Sequence, residues 1–292
     1  ELRCTYDPGR TSATWVRGVG PHRLVQSARR TFIVRDDGLV PVDVAGGMVA
    51  AHAGDRLFIK DGAAAVQVID LSTGVLSDTL TFDHPVQDLA VSPTGRLAVG
   101  HSGNVTVLDE QRESRTFAVK GRVTALAWSP DGETLAVGTR YGGVYLVGAS
   151  IVLIREPDAV RVADLAWGDA LFIALGTKGL HRLDDDAWHQ VTDRADLVAA
   201  RGGVLAWIGE ELTVSEGGVP RTDLPRGVRA RSSGTASLGF DHEGALLWGD
   251  RVLGALDLRT GAWEQLVLDP FARARSGGAV DGDPGSFLPG VE

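Results

Sequence analysis

Apolar residues in this chain come in short runs broken by polar corners, and the pattern of runs repeats. "LAVSPTGRLAVG" at 89–100 and "LAWSPDGETLAVG" at 126–138 share one layout: an apolar run, a Ser-Pro-x-Gly corner, and a second run ending on glycine. Val86 and Val123, Pro93 and Pro130, and Gly95 and Gly132 each stand 37 residues apart. "VADLAWGDALFIALG" keeps both runs without the corner, and its Val162 lies 39 residues beyond Val123. "LGFDHEGALLWG" puts Gly244 112 residues past Gly132, about three periods further on. No stretch shows sustained helical spacing. Short apolar runs bounded by turn residues predict strands. In the corner, proline presets φ and glycine accepts a positive φ, which suits a tight hairpin turn.

Each copy then continues in the same way. "VQVIDLSTG" (66–74), "VTVLDE" (105–110) and "GALDLRTG" (254–261) read as a third strand closing on aspartate and a turn. An alternating outer strand follows, as in "VLSDTLTF" (75–82) and "AWEQLVL" (262–268). Four short strands in about 37 residues form one blade of a β-propeller. The predicted fold is therefore all-β, with seven blades of four-stranded antiparallel sheet and six as the alternative count. Third strands are expected around Val42, Ile69, Leu108, Leu146, Leu183, Val214 and Leu256. The propeller is expected over 21–269. Residues 1–20 form a separate N-terminal segment whose "SATWVRG" is a candidate for closing the ring, and 270–292 form a Gly/Pro/Asp-rich tail. One blade cannot bury both of its faces, and stacking blades does so. Leu89, Leu97, Leu126, Trp128, Leu135, Val137, Leu165 and Trp167 are the expected packing between blades.

These hairpins resemble the first two strands of WD-repeat propellers, and the similarity covers most of 21–269. The chain departs from the family where the third strand closes. The family's Trp-Asp is Ile-Asp or Leu-Asp here, or absent, and only His84 stands near its Gly-His position. The resemblance implies a degenerate, bacterial-type member acting as a non-catalytic scaffold or sensor that presents loops to a protein or peptide partner, often inside an assembly. It also implies that loops before the inner strand and between strands two and three open on one face. Those loops carry His84, His101, Arg122, Arg140, Arg161, Lys178 and Arg251, the candidate partner-binding face. Glu110, Glu113, Asp131, Glu133, Asp169, Asp185, Asp186 and Glu243 fall on the other face. Arginine's planar fork suits carboxylate or phosphate, so the expected partner carries an acidic surface.

Charge and composition narrow the options. Thirty-eight acids against 29 bases leave the chain at −9, which opposes general nucleic-acid binding. Its longest aliphatic run, "IVLI" at 151–154, falls far short of a bilayer span. The single cysteine, Cys4, excludes an internal disulfide and a thiolate-rich metal site. Lysine occurs only at 60, 120 and 178, while alanine and glycine abound, a usage that suggests a GC-rich bacterial genome. The cytoplasm is the default compartment.

No familiar catalytic string occurs, and no cofactor is implied. "HRLDDDAWH" (181–189) could in principle gather imidazole and carboxylate around a cation, but it reads as a solvated turn. Asn104-Val105-Thr106 fits a glycosylation sequon by chance within a strand. Asp88 and Asp164 hold the same slot before the inner-strand leucine and are candidate polar groups of a central channel. There they could serve a small ligand or an enzyme, the alternative reading, or hydrogen-bond the next blade's loops.

Overall fold

The computed structural model describes residues 13–19, 22–27, 30–35, 38–42, 50–61, 63–185, 187–221, 237–240, 243–249 and 253–266. Those residues form twenty-seven strands and no helix. Hydrogen bonding sorts the strands into five four-stranded antiparallel sheets and one seven-stranded sheet. The seven-stranded sheet is two four-stranded units sharing the 15-residue strand Ser114–Trp128. The first half of that strand pairs with Ser102–Leu108 and the second half with Leu135–Thr139. At Gly121, where φ is 101°, the chain passes from the outer edge of one unit to the inner strand of the next. In chain order, units one to seven among the described residues span 13–42, 50–81, 88–120, 122–155, 164–192, 197–220 and 237–266.

Each unit's first strand packs against the first strands of its neighbours. Ala13–Val19 of unit one meets both Ser237–Phe240 of unit seven and Ala50–Ala53 of unit two, which closes a ring. The all-β propeller expected from the repeats is what the chain adopts. Ile69, Leu108, Leu146, Leu183, Val214 and Leu256 all lie in third strands, as the repeat frame requires. Val42 does not. It ends a fourth strand, because Ala13–Val19 pairs with His22–Ser27 and takes the innermost place in unit one. The weaker repeat at the N-terminus had hidden that one-strand shift. The tail at 270–292 lies outside the described residues.

Burial follows the two-residue alternation of strands, sorted by which neighbour each face meets. In "LAVG" at 97–100, Leu97 and Val99 pack toward unit two, in a cluster with Phe58, Val66 and Val86. Ala98 faces unit four, in a cluster with Val123, Leu126 and Leu135. The same holds one period later: Leu135 and Val137 point back, and Ala136 points forward against Val162 and Ile173. In these two units the larger residues face the preceding unit and alanine the following one, while Phe58 and Phe172 take the forward-facing place in units two and five. The closing glycine is the point of closest approach. A Cβ on Gly100 would stand 2.9 Å from Cβ of Val123, and one on Gly138 would stand 2.9 Å from Cβ of Val162. Neither contact leaves room for a side chain.

The Ser-Pro-x-Gly corners behave as their chemistry demands. Gly95 and Gly132 take φ of 84° and 74°. Ser92 Oγ accepts from the Arg96 N–H at 2.9 Å, and Ser129 Oγ accepts from the Thr134 N–H at 2.9 Å. The two corners are also joined. Arg96 donates to the Gly132 carbonyl, pairs with Glu133 at 3.2 Å and lies 5.0 Å over the Trp128 ring.

Candidate functional site

Antiparallel units put the loops before the first strand and between strands two and three on one face of the disc. Among the described residues, backbone hydrogen bonds tie the loops of units two to five to the unit that follows. The Val123 N–H donates to the His101 carbonyl at 3.0 Å, Val162 to Thr139 at 3.1 Å, and Ala195 to Gly176 at 2.9 Å. Arg140 N–H donates to the Arg122 carbonyl at 2.8 Å. The 156–163 connection wraps over the 140–143 loop: Asp158 and Ala159 N–H groups both donate to the Tyr141 carbonyl, at 2.9 and 3.0 Å. Arg155 donates to the Gly142 carbonyl and forms an ion pair with Asp158 at 2.5 Å. That pair and the Val160 N–H hold the Asp158 carboxyl below the usual carboxylate range, against the opposing effect of its partial burial. Backbone hydrogen bonds therefore fix these loops, joined in unit four by the Arg155 and Asp158 side chains, while the side chains of Arg122, Arg140 and Arg161 take no part in holding them.

Five cations stand on this face in units three to five: Lys120, Arg122, Arg140, Arg161 and Lys178. All are exposed, and none is in an ion pair among the described residues. His84 is exposed beside them. His101 is not part of the surface. It is 2% exposed, with its ring 5.4 Å from Phe82 and 6.4 Å from His84, and burial holds it below the ordinary imidazole value. Arg251 lies outside the described residues. The charge separation expected from the sequence is only partial. Glu210 and Glu211 in unit six, with Asp193 and Asp196 before it, make the same face acidic there. On the opposite face several bases are matched: Arg96 to Glu133, Arg112 to Asp78 at 2.6 Å, Arg182 to Asp184 at 2.9 Å, and Arg259 to Asp257 at 3.5 Å. The basic feature is a sector, not a whole face. Lys120 and the half-exposed Tyr141 in that sector escaped the sequence reading, because one lies at a strand crossover and the other carries no charge.

Inside the ring, the first strands surround a cavity of about 600 Å³ whose walls include Asp88, Thr124, Trp128, Asp164, Trp167 and Arg201. Asp164 bridges units: its carboxylate accepts from its neighbour Leu165 N–H at 2.9 Å and from Val198 N–H of unit six at 3.0 Å. Replacing Asp164 by alanine strips partners from two partly buried N–H groups and is expected to cost about 2 kcal/mol, measured by urea unfolding. Asp164→Asn keeps one acceptor oxygen and should lose less; equal stability of all three proteins would refute the bridging role. In the 181–189 hairpin, Arg182 stands opposite His189 and His181 opposite Gln190. The two histidines therefore point to opposite faces of the sheet and do not converge on one ion.

No protein-family model matches the chain. Among curated proteins it is similar to WD repeat-containing protein 1 of Gallus gallus, 34% identical over a 176-residue alignment that covers 53% of this chain and 27% of that protein. The chain thus spans about a quarter of that relative's length. Among solved structures it resembles the β-propeller domain of Myceliophteria thermophila Cps50 (Swd1), with a TM-score of 0.62, 16% identity, and coverage of 86% of this chain and 96% of that one. It also resembles a chain in a crystal structure of the mitotic checkpoint complex, with a TM-score of 0.57, 17% identity, and coverage of 69% and 72%. At such identities the structures speak for the fold alone. Sequence similarity and fold together support the WD-repeat resemblance carried by the hairpins. The named relatives are eukaryotic, and the bacterial source suggested by composition finds no support in them. No helix among the described residues is long and apolar enough to cross a membrane.

Proposed function

We propose that this WD-repeat-like propeller, read as seven-bladed on its strand order, is a non-catalytic interaction module. It holds an acidic protein partner on the basic sector of units three to five, as one component of a larger assembly. The observation that carries this reading is the set of five exposed cations that form no ion pair among the described residues, on loops fixed by backbone hydrogen bonds. A rigid platform loses little conformational entropy on binding, and unpaired arginine remains available to carboxylates. The likeness to a chain of the mitotic checkpoint complex supports a place in an assembly by analogy. A ligand in the channel is the weaker reading, since Asp164 already serves Leu165 and Val198.

Affinity capture of the full-length protein from its own cells, followed by a salt gradient, tests the proposal. A stoichiometric protein companion that elutes as ionic strength rises is the expected result, because exposed charge pairs are screened over about 10 Å at 0.1 M salt. Recovery of a bound small molecule and no protein companion would favour the channel instead.

A further inference from the structure

Among the described residues, five of the seven outer strands carry a charge or a proline or are very short, a sixth is polar at its centre, and one is apolar. Gly38–Val42 holds Pro41, Leu76–Thr81 holds Asp78, and the outer half of Ser114–Trp128 holds Arg115. Ala187–Thr192 holds His189 and Gln190, Val219–Pro220 is two residues long and ends on proline, and Trp263–Leu266 holds Glu264. Charge, proline and brevity are how natural sheets protect a free edge. The outer strand of unit four, Ile151–Arg155, reads Ile-Val-Leu-Ile before its arginine. Val152 is 53% exposed and Leu153 38% exposed, so both faces of the edge present apolar side chains. Arg155 does not guard it, being turned to Gly142 and Asp158. A register shift at Ile154 and a bond from Trp188 Nε1 to the Ile154 carbonyl, at 3.4 Å, end the free edge against unit five.

We propose that this edge receives an extended strand of the partner, paired antiparallel to Ile151–Ile154, with apolar residues alternating onto Val152 and Leu153 and acidic residues at its N-terminal end. Charge complementarity selects this occupant. The strand ends at Arg155, which bonds to the loop carrying Arg140 and Tyr141, and Arg161 follows in the same connection. An antiparallel guest therefore begins at the basic end and runs away from it into the apolar edge. Glu156, also exposed there, is outnumbered. Main-chain pairing supplies affinity in such additions, and alternating side chains supply selectivity. The acidic head of the ligand rests on the face reading above; the strand rests on the edge alone.

Selection of a random peptide display library on the full-length protein tests both parts. Recovered peptides should carry acidic residues followed by alternating apolar ones. They should bind Val152→Lys/Leu153→Lys protein about tenfold more weakly or worse, at unchanged melting temperature. Val152→Thr/Leu153→Thr is a milder second variant should the lysines disturb folding, and a smaller loss in the same direction is expected. Acidic peptides that need Arg140 and Arg161 but ignore the edge substitutions overturn the strand proposal and leave the face reading standing. Strand-like peptides that need the edge but tolerate Arg140→Glu/Arg161→Glu overturn the acidic head and count against the face. Recovery of no binding peptide overturns the proposal. Self-association in sedimentation that the lysine variant abolishes makes a second copy the occupant and overturns it as well.

Discussion

Gly138→Ala and Val162→Ala are expected each to destabilise the chain by about 2 kcal/mol, and together to cost less than their sum by more than about 1 kcal/mol. On Gly138, a methyl group meets Val162 of the next unit at 2.9 Å or closer, a distance that forces side chain or backbone to move. Val162→Ala alone empties space in a close-packed cluster that holds Leu165, Leu171 and Ile173. Combined, the new methyl group occupies volume that the valine gave up. The chain already contains this solution one unit further on. Ala174 stands where the repeat has Gly138, Ala195 stands where it has Val162, and both are buried in one cluster. In a chain of this size, 1 kcal/mol moves the melting temperature by roughly 2–4 °C, so the single variants fall by about 4–8 °C. Gly203→Ala is the control, since nothing lies within 4 Å of where its Cβ would stand. Strict additivity in a urea-denaturation cycle would refute glycine-for-approach as the reason the repeat ends on Gly.

This pairing shows how far the sequence could be read. The period and the corners are visible because each repeats, and repetition sets the strand frame at Ile69, Leu108 and Leu146. Unit one lacks a recognisable corner, so the repeat frame leaves its innermost strand outside and sets Val42 one strand too early. The candidate site fared less well for a physical reason. Side-chain charge is written in the sequence, but ion pairing is not. Arg96, Arg112 and Arg182 look no different from Arg122, Arg140 and Arg161 until the fold brings Glu133, Asp78 and Asp184 to the first three. His101 looked like a face residue by position, yet the Phe82 and His84 side chains cover it. The unguarded edge was legible as "IVLI" but carried no meaning before that run was known to be an outer strand.

Arg122→Glu combined with Arg140→Glu is expected to weaken the acidic partner by roughly a hundredfold at low salt, the largest effect on binding that any surface change here should give. Both side chains are exposed and form no ion pair among the described residues, so reversing them breaks none there. The bond joining the two loops runs from the Arg140 N–H to the Arg122 carbonyl and is made by backbone, so it survives any side chain. Folding should therefore be unchanged, and a preserved melting temperature is part of the prediction. The loss should shrink as salt rises, because the screening length falls from about 10 Å at 0.1 M to about 3 Å at 1 M. Arg259→Glu, on the opposite face and already set against Asp257, changes the total charge without touching the sector. A net-charge effect alone would weaken binding in both proteins, whereas recognition by the sector weakens it only in the first. Equal salt-dependent losses in the two variants, or none in either, would remove the sector as the docking site.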